Sequence, residues 1–177
     1  YVPVEDNDKP IVGIVADKEA TRNSVIISFK SDVTPAEARA TLMGPLEDYV
    51  QSILTSMIAQ RFNDIVKKPN APFINASVEF GPYLIAKTKD AATYGADFKE
   101  GQWDTALKGL VAEIVRIKKF GFTPAEFDRA KKEFLVSVKN TFNERNKRTS
   151  EAWANIYVDY FEDGGYLLDI PTYYQLN

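Results

Sequence analysis

Apolar positions along this chain follow two rhythms, and the places where one gives way to the other divide it into strands and helices. SVIISFK, residues 24–30, alternates, with Val25, Ile27 and Phe29 on one face, the period of a half-buried strand. FINASVEF, residues 73–80, alternates in the same way and groups Ile74, Ala76, Val78 and Phe80. Gly81-Pro82 then breaks or bulges the strand, since proline has no amide to give a ladder. YLIAKTK continues it, Lys89-Asp90 reads as a turn, and ATYGADFK follows. Two or three antiparallel strands are therefore predicted between Phe73 and Lys99. Upstream, IVGIV, Ile11 to Val15, is an apolar run of strand length followed by the turn-rich DKEATRN.

Elsewhere the spacing is helical. Leu46, Tyr49/Val50, Ile53/Leu54, Met57/Ile58 and Phe62 form one broad stripe. Arg61 lies beside it, and a long side chain snorkelling at the edge of a core explains it better than an anion ligand does. Thr34-Pro35-Ala36-Glu37 is a cap formula ahead of this helix, and Gly44-Pro45 should interrupt it. Pro69 to Pro72 closes it. A later helix, capped by Asp104, turns Leu107, Leu110/Val111, Ile114 and Ile117 inward and leaves Glu113, Arg116, Lys118 and Lys119 mostly opposite.

That helix and the next meet in KFGFTPAEFDRAKKEFL, where nearly every local signal for an αα-corner is present. Gly121 reaches the left-handed conformation without steric cost. Thr123 is an N-cap, Pro124 suits the first helical position, and Glu126 completes a capping box. Phe122 and Phe127 are placed for a hydrophobic staple. The following helix carries Phe127, Ala130, Phe134, Val138 and Phe142 inward. Ser150 is positioned to cap a further helix with Trp153, Ile156/Tyr157 and Tyr160/Phe161 on one face, ended by Gly164-Gly165. Strands and helices are segregated, which predicts an α+β fold: an antiparallel or mixed sheet with long helices on one face.

Composition narrows the chemistry more than the fold. The 177 residues suit one domain, and a net charge of −3 argues against nucleic acid as a partner. The basic cluster Arg145, Lys147 and Arg148 reads as a solvated face because Glu144 and Glu151 lie among it. No apolar run approaches the roughly 20 residues that span a bilayer, and the polar start is no signal peptide. Glu5, Asp6 and Asp8 do not match an EF-hand loop, and no glycine pattern forms a phosphate cradle. The chain has neither cysteine nor histidine. Disulfides, a Ser-His-Asp triad, a Cys-His pair and a His-containing zinc site are all excluded within it. Carboxylate or lysine chemistry remains, and the carboxylates to consider are Glu79, Asp97 and Glu113. Glu79 and Asp97 alternate with apolar strand neighbours, so solvent-facing positions account for them.

Three segments, in order, resemble the pitrilysin/insulinase type of zinc peptidase, specifically its bacterial two-half members. PIVGIVADKEATRNSVIISFK is similar to the strand–turn–strand that opens the second domain of the N-terminal half. QSILTSMIAQRFNDI is similar to that domain's first long helix, with the pair Arg61-Phe62. ALKGLVAEIVRIKKFGFTPAEFDRAKKEFL resembles the helix–Gly–capped-helix element. The resemblance implies a parent of four similar domains in two halves closing around a peptide chamber. It implies zinc held upstream on an inverted His-x-x-Glu-His motif, which no position here can carry. Catalytic, cofactor-binding and metal residues are accordingly expected to be none.

Residues 1–177 are then expected to form one non-catalytic domain of a zinc metalloendopeptidase, a fragment of a longer chain beginning abruptly at Tyr1. Its expected partners are the upstream zinc domain, the downstream half and a peptide substrate. The resemblance suggests the bacterial periplasm or cell envelope. The alternative keeps the fold without activity, as a scaffold or assembly subunit. An apolar tail of Tyr166, Leu167, Leu168, Ile170, Tyr173 and Tyr174 is expected to exceed what local packing can bury and so to promote self-association.

Overall fold

The alternating strands send one side into a core and leave the other polar. β1 (Asn23–Asp32), β2 (Asn75–Pro82) and β3 (Lys89–Phe98) form an antiparallel sheet in the order β1-β3-β2. In register, Val25, Ala96 and Ala76 share one level, and Ile27, Tyr94 and Val78 the next. These side chains pack with Ile58 and Phe62, from helix α2 (Met43–Val66), and with Ala106 and Leu110, from helix α3 (Trp103–Phe120). The opposite face carries Ser24, Ser28, Ser77, Glu79, Thr93 and Asp97, with the Ser28 and Thr93 hydroxyls 3.0 Å apart. The fold is α+β, as the segregation of elements predicted. The computed structural model describes residues 3–176. Tyr1, the abrupt start, lies outside them.

The chain divides into two compact units, one taking it up to Val33 and over Met57–Phe122, the other taking Thr34–Ser56 and the chain from Thr123. The sheet unit uses the second half of α2 and all of α3. The helical unit contains the first half of α2 and the short α1 (Ala36–Arg39). It also contains α4 (Pro124–Asn143), a 3₁₀ turn at Arg145–Lys147, α5 (Ser150–Asp163) and α6 (Ile170–Leu176).

Local chemistry explains most boundaries. Gly121, at φ 64°, ends α3 with its amide on the Ile117 carbonyl at 2.8 Å. Thr123 then caps α4 in a full capping box with Glu126. Thr123→Ala should cost about 1 kcal/mol by orphaning the Glu126 amide, read as a lowered urea midpoint with unchanged slope. Gly164 and Gly165, at φ 69° and 101°, end α5 as expected.

Several expectations are corrected. YLIAKT, residues 83–88, is the β2–β3 connection: Gly81 (φ 156°) and Pro82 are the last residues of the β2 ladder, and Leu84 and Ile85 are 78% and 98% exposed. Lys89-Asp90 opens β3 instead of turning. IVGIV joins no strand among the described residues, and its four large side chains are 79–94% exposed. Gly44 and Pro45 lie in the first turn of α2, where a missing amide costs no intrahelical bond. The break therefore falls upstream, at Ala40–Leu42. Thr34 does not cap; Pro35 precedes α1, and the Thr34 hydroxyl meets the Glu47 carboxylate at 3.2 Å. Gln102, not Asp104, precedes α3, and Asp104 pairs with Lys108 at 2.8 Å. Thr149, not Ser150, caps α5 through the Ala152 amide.

The apolar stripes are only partly buried. On α2, Ile53, Met57, Ile58 and Phe62 are buried while Leu46 and Val50 stay exposed. On α4, Ala130 and Val138 are buried, Phe134 meets Tyr49 edge-on at 5.1 Å, and Phe127 is exposed. Phe122 packs against the sheet unit's core. On α5, Tyr157, Tyr160 and Phe161 are exposed. The tail is covered only in part, since Leu167 and Tyr174 stay exposed. Ile170 is buried, Tyr174 stacks on Phe142 at 4.5 Å, and the Asp169 carboxylate accepts the Thr172 amide at 2.7 Å. That bond holds the Asp169 pKa below the usual carboxylate value.

Candidate functional site

The most constrained ionic group lies inside the sheet unit. Glu113, expected on the outer side of α3, is buried at 6% exposure, and Arg61 on α2 is buried at 8%. Their charged ends lie 3.4 Å apart, and Arg116 reaches the same carboxylate at 3.1 Å from one turn along α3. Arg61 also donates to the Gly121 carbonyl at 2.8 Å, and its guanidinium lies 4.5 Å from the centroid of the Phe122 ring. Arg61 is thus a buried anchor, not a side chain snorkelling at the rim. It satisfies a carbonyl left over where α3 ends and matches its planar, stackable cation to an aromatic face. The pairing Arg61-Phe62 in the sequence marked the place. Nothing in the α3 pattern marked Glu113, because a lone carboxylate beside a stripe is ordinarily solvated.

The three carboxylates considered for catalysis do not converge. Glu79 is exposed on the polar face of the sheet, opposite Thr93. Asp97 shares that face and pairs with Arg22 at 2.5 Å. Glu113 is on the core side, held by arginines. An acid/base pair needs two groups within reach of one substrate atom; the sheet separates Glu113 from the other two, and Glu79 lies opposite Thr93, four residues along β3 from Asp97.

The helical unit holds a cavity of about 500 Å³ between the start of α2 and the end of α5. Its closest packing involves Gly44, Arg39 and Tyr166. A Cβ on Gly44 would lie 2.3 Å from the Arg39 carbonyl oxygen and 2.5 Å from the Tyr166 ring. The Tyr166 hydroxyl donates to Asp48. Burial first, then that bond and the Asp48 charge, push the Tyr166 phenol well above its ordinary value of 10.0. A folded-state pKa raised in this way contributes stability that is complete below the unfolded value and is lost as pH rises above it. The protein should therefore lose stability above pH 10.0, and Tyr166→Phe should flatten part of that loss. Urea midpoints of parent and variant between neutral and strongly alkaline pH check this.

No family model matches the chain, and no curated relative matches it. Solved structures do. The first half of the periplasmic protease PqqL from Escherichia coli aligns over 90% of this chain with a TM-score of 0.74 at 18% identity. The intact PqqL gives the same values, and a predicted insulinase family protease from Yersinia pestis aligns over 89% at TM-score 0.68 and 12% identity. The fold is that of the insulinase-type proteases. The chain spans 33% of the PqqL first half and 17% of the intact protein.

That fold implies zinc, and the residues here do not suit it. The sequence supplies no imidazole and no thiolate, and among the described residues no three carboxylates converge. Zinc rarely accepts an all-oxygen site. The basic cluster also has local partners. Arg145 lies over the Phe142 ring, Lys147 pairs with Glu144, and Arg148 lies over Trp153. Among the described residues, no helix is long and apolar enough to cross a membrane.

Proposed function

We propose that residues 1–177 are one non-catalytic domain of a zinc-dependent metalloendopeptidase that cleaves peptides. In this reading the domain corresponds to the second domain of the N-terminal half, buttresses the zinc domain and walls part of the chamber. One observation carries it: an insulinase-type fold over nine-tenths of a chain that contains no histidine or cysteine. The catalytic zinc then belongs to the upstream domain, and the binding partners are that domain, the downstream half of the parent and the peptide. Nucleic acid is not among them. A periplasmic or envelope location follows from the same reading, PqqL being a periplasmic protease.

The test is co-expression with the upstream domain. The two should co-purify with one zinc per complex, while calorimetric titration of this chain alone gives no stoichiometric site at micromolar zinc. A tight zinc site on the isolated chain, or peptide cleavage by it, would overturn the proposal.

A further inference from the structure

The cavity of the helical unit is a groove between two helices, and its charge is one-sided. One wall is the end of α5, with Asp159 and Tyr160. The other is the start of α2, with Glu47 and Asp48, and Leu167 and Leu168 line it from the tail. The lining thus sets three carboxylates against one cation, Arg39. Glu47 accepts from the Thr34 hydroxyl at 3.2 Å and from the Gln51 amide at 3.4 Å, and Asp48 accepts from the Tyr166 hydroxyl. These donors are neutral, so they fix the α2 carboxylates in place and leave their charge uncancelled. Asp159 is exposed, and no hydrogen bond or ion pair reaches it among the described residues.

Beside the groove, apolar surface lies uncovered. At 3.6 residues per turn Tyr157, Tyr160 and Phe161 fall on one side of α5. Tyr157 and Tyr160 are exposed, and Phe161 is 89% exposed. Trp153 extends the strip by one turn, its ring stacked with that of Tyr157 at 6.4 Å. Leu167 is exposed as well.

An aromatic strip beside uncancelled negative charge is the complement of an amphipathic helix with a basic flank. The apolar side of such a helix lies along the strip, while its lysine or arginine ends reach the carboxylates and the tyrosine rings. Other occupants fit less well. Two copies joined groove to groove would set carboxylates against carboxylates. The outer side of α4 is basic, with Arg129, Lys132 and Lys139 exposed. Docking that side in the groove of a second copy joins unlike surfaces, which builds open chains unless the rotation closes. An anionic lipid surface repels the groove outright.

We propose that the groove between the start of α2 and the end of α5 docks a basic amphipathic helix of a partner polypeptide. Tyr157 and Phe161 are its apolar anchors, and Asp159 is its unpaired counter-charge.

The probe is a fluorescein-labelled helical peptide of two LKKLLKL repeats, with two LEELLEL repeats as its charge-reversed twin. In anisotropy titrations the full chain should bind the lysine peptide about tenfold more tightly than the glutamate peptide, and the difference should shrink as salt rises. The double variant Tyr157→Ser/Phe161→Ser alters only exposed side chains, so it should melt with the parent and bind about tenfold more weakly, the effect of losing interface anchors. Asp159→Lys should move the preference toward the glutamate peptide. Equal binding of the two peptides by the parent, or binding that neither variant changes, would overturn the proposal. So would sedimentation showing dimers or chains of the parent that Asp159→Lys disperses, which makes a second copy the occupant. Binding to phosphatidylglycerol vesicles that the double serine variant abolishes would overturn it in favour of a membrane.

Discussion

Glu113→Ala is expected to destabilise the fold by about 3–5 kcal/mol, the range for removing one partner of a buried ion pair. The cost comes less from the lost attraction than from what stays behind. Arg61 remains under the same side chains with one carboxylate fewer, its charge already stripped of water. The double variant Arg61→Met/Glu113→Leu removes both charges at similar volume, so most of the loss should be recovered. Its stability should lie well above that of Glu113→Ala, although the Gly121 carbonyl loses a donor. Urea midpoints of parent, single and double variants decide. A single variant within about 0.5 kcal/mol of the parent, the range of an ordinary surface change, would mean that Glu113 is solvated after all.

Gly44→Ala should cost the helical unit about 3 kcal/mol, the upper part of the usual range for overpacking. A methyl group there meets a backbone oxygen on one side and the Tyr166 ring on the other, both inside 3.0 Å. The ring could swing away only by giving up its bond to Asp48. Gly95→Ala in β3 is the control, since its nearest neighbour would be the Ser77 hydroxyl at 3.5 Å. It should be neutral or slightly stabilising, as alanine loses less backbone freedom than glycine on folding. Thermal melts of the two variants separate the effects, and a Gly44→Ala protein melting with the parent would disprove the close packing.

These two residues show where the sequence was readable and where it was not. Signals that act within a few residues were read well. The capping box at Thr123, the helix stops at Gly121 and Gly164-Gly165, and the alternation in β1 and β2 each follow from backbone geometry and a nearby side chain. The same TPAE formula failed at Thr34 because α1 begins one residue later, which leaves Pro35 in the cap position, while the Thr34 hydroxyl donates to Glu47, thirteen residues away. Glu113 and Gly44 failed for a different reason. Their roles depend on Arg61 and Tyr166, distant in sequence, and no periodicity encodes a distant partner. IVGIV has strand composition but no ladder: among the described residues it pairs with no strand, and composition alone does not supply a partner. Composition excluded imidazole and thiol chemistry, and only the structure could place Glu113 on the core side, away from Glu79 and Asp97 on the polar face.

The division of the chain also bears on how it can be made. Neither unit is one continuous stretch: each is assembled from pieces that the other interrupts. During synthesis the sheet unit cannot be completed before Phe122 has emerged. Until then Thr34–Ser56 is looped out, with the helices that will enclose it not yet translated. Pairing across such separations is slow, because the intervening loop must be closed before any contact repays its cost. The unfinished protein must therefore carry the apolar positions of its longest helix uncovered for many seconds at ordinary elongation rates, a window in which a holdase would find them.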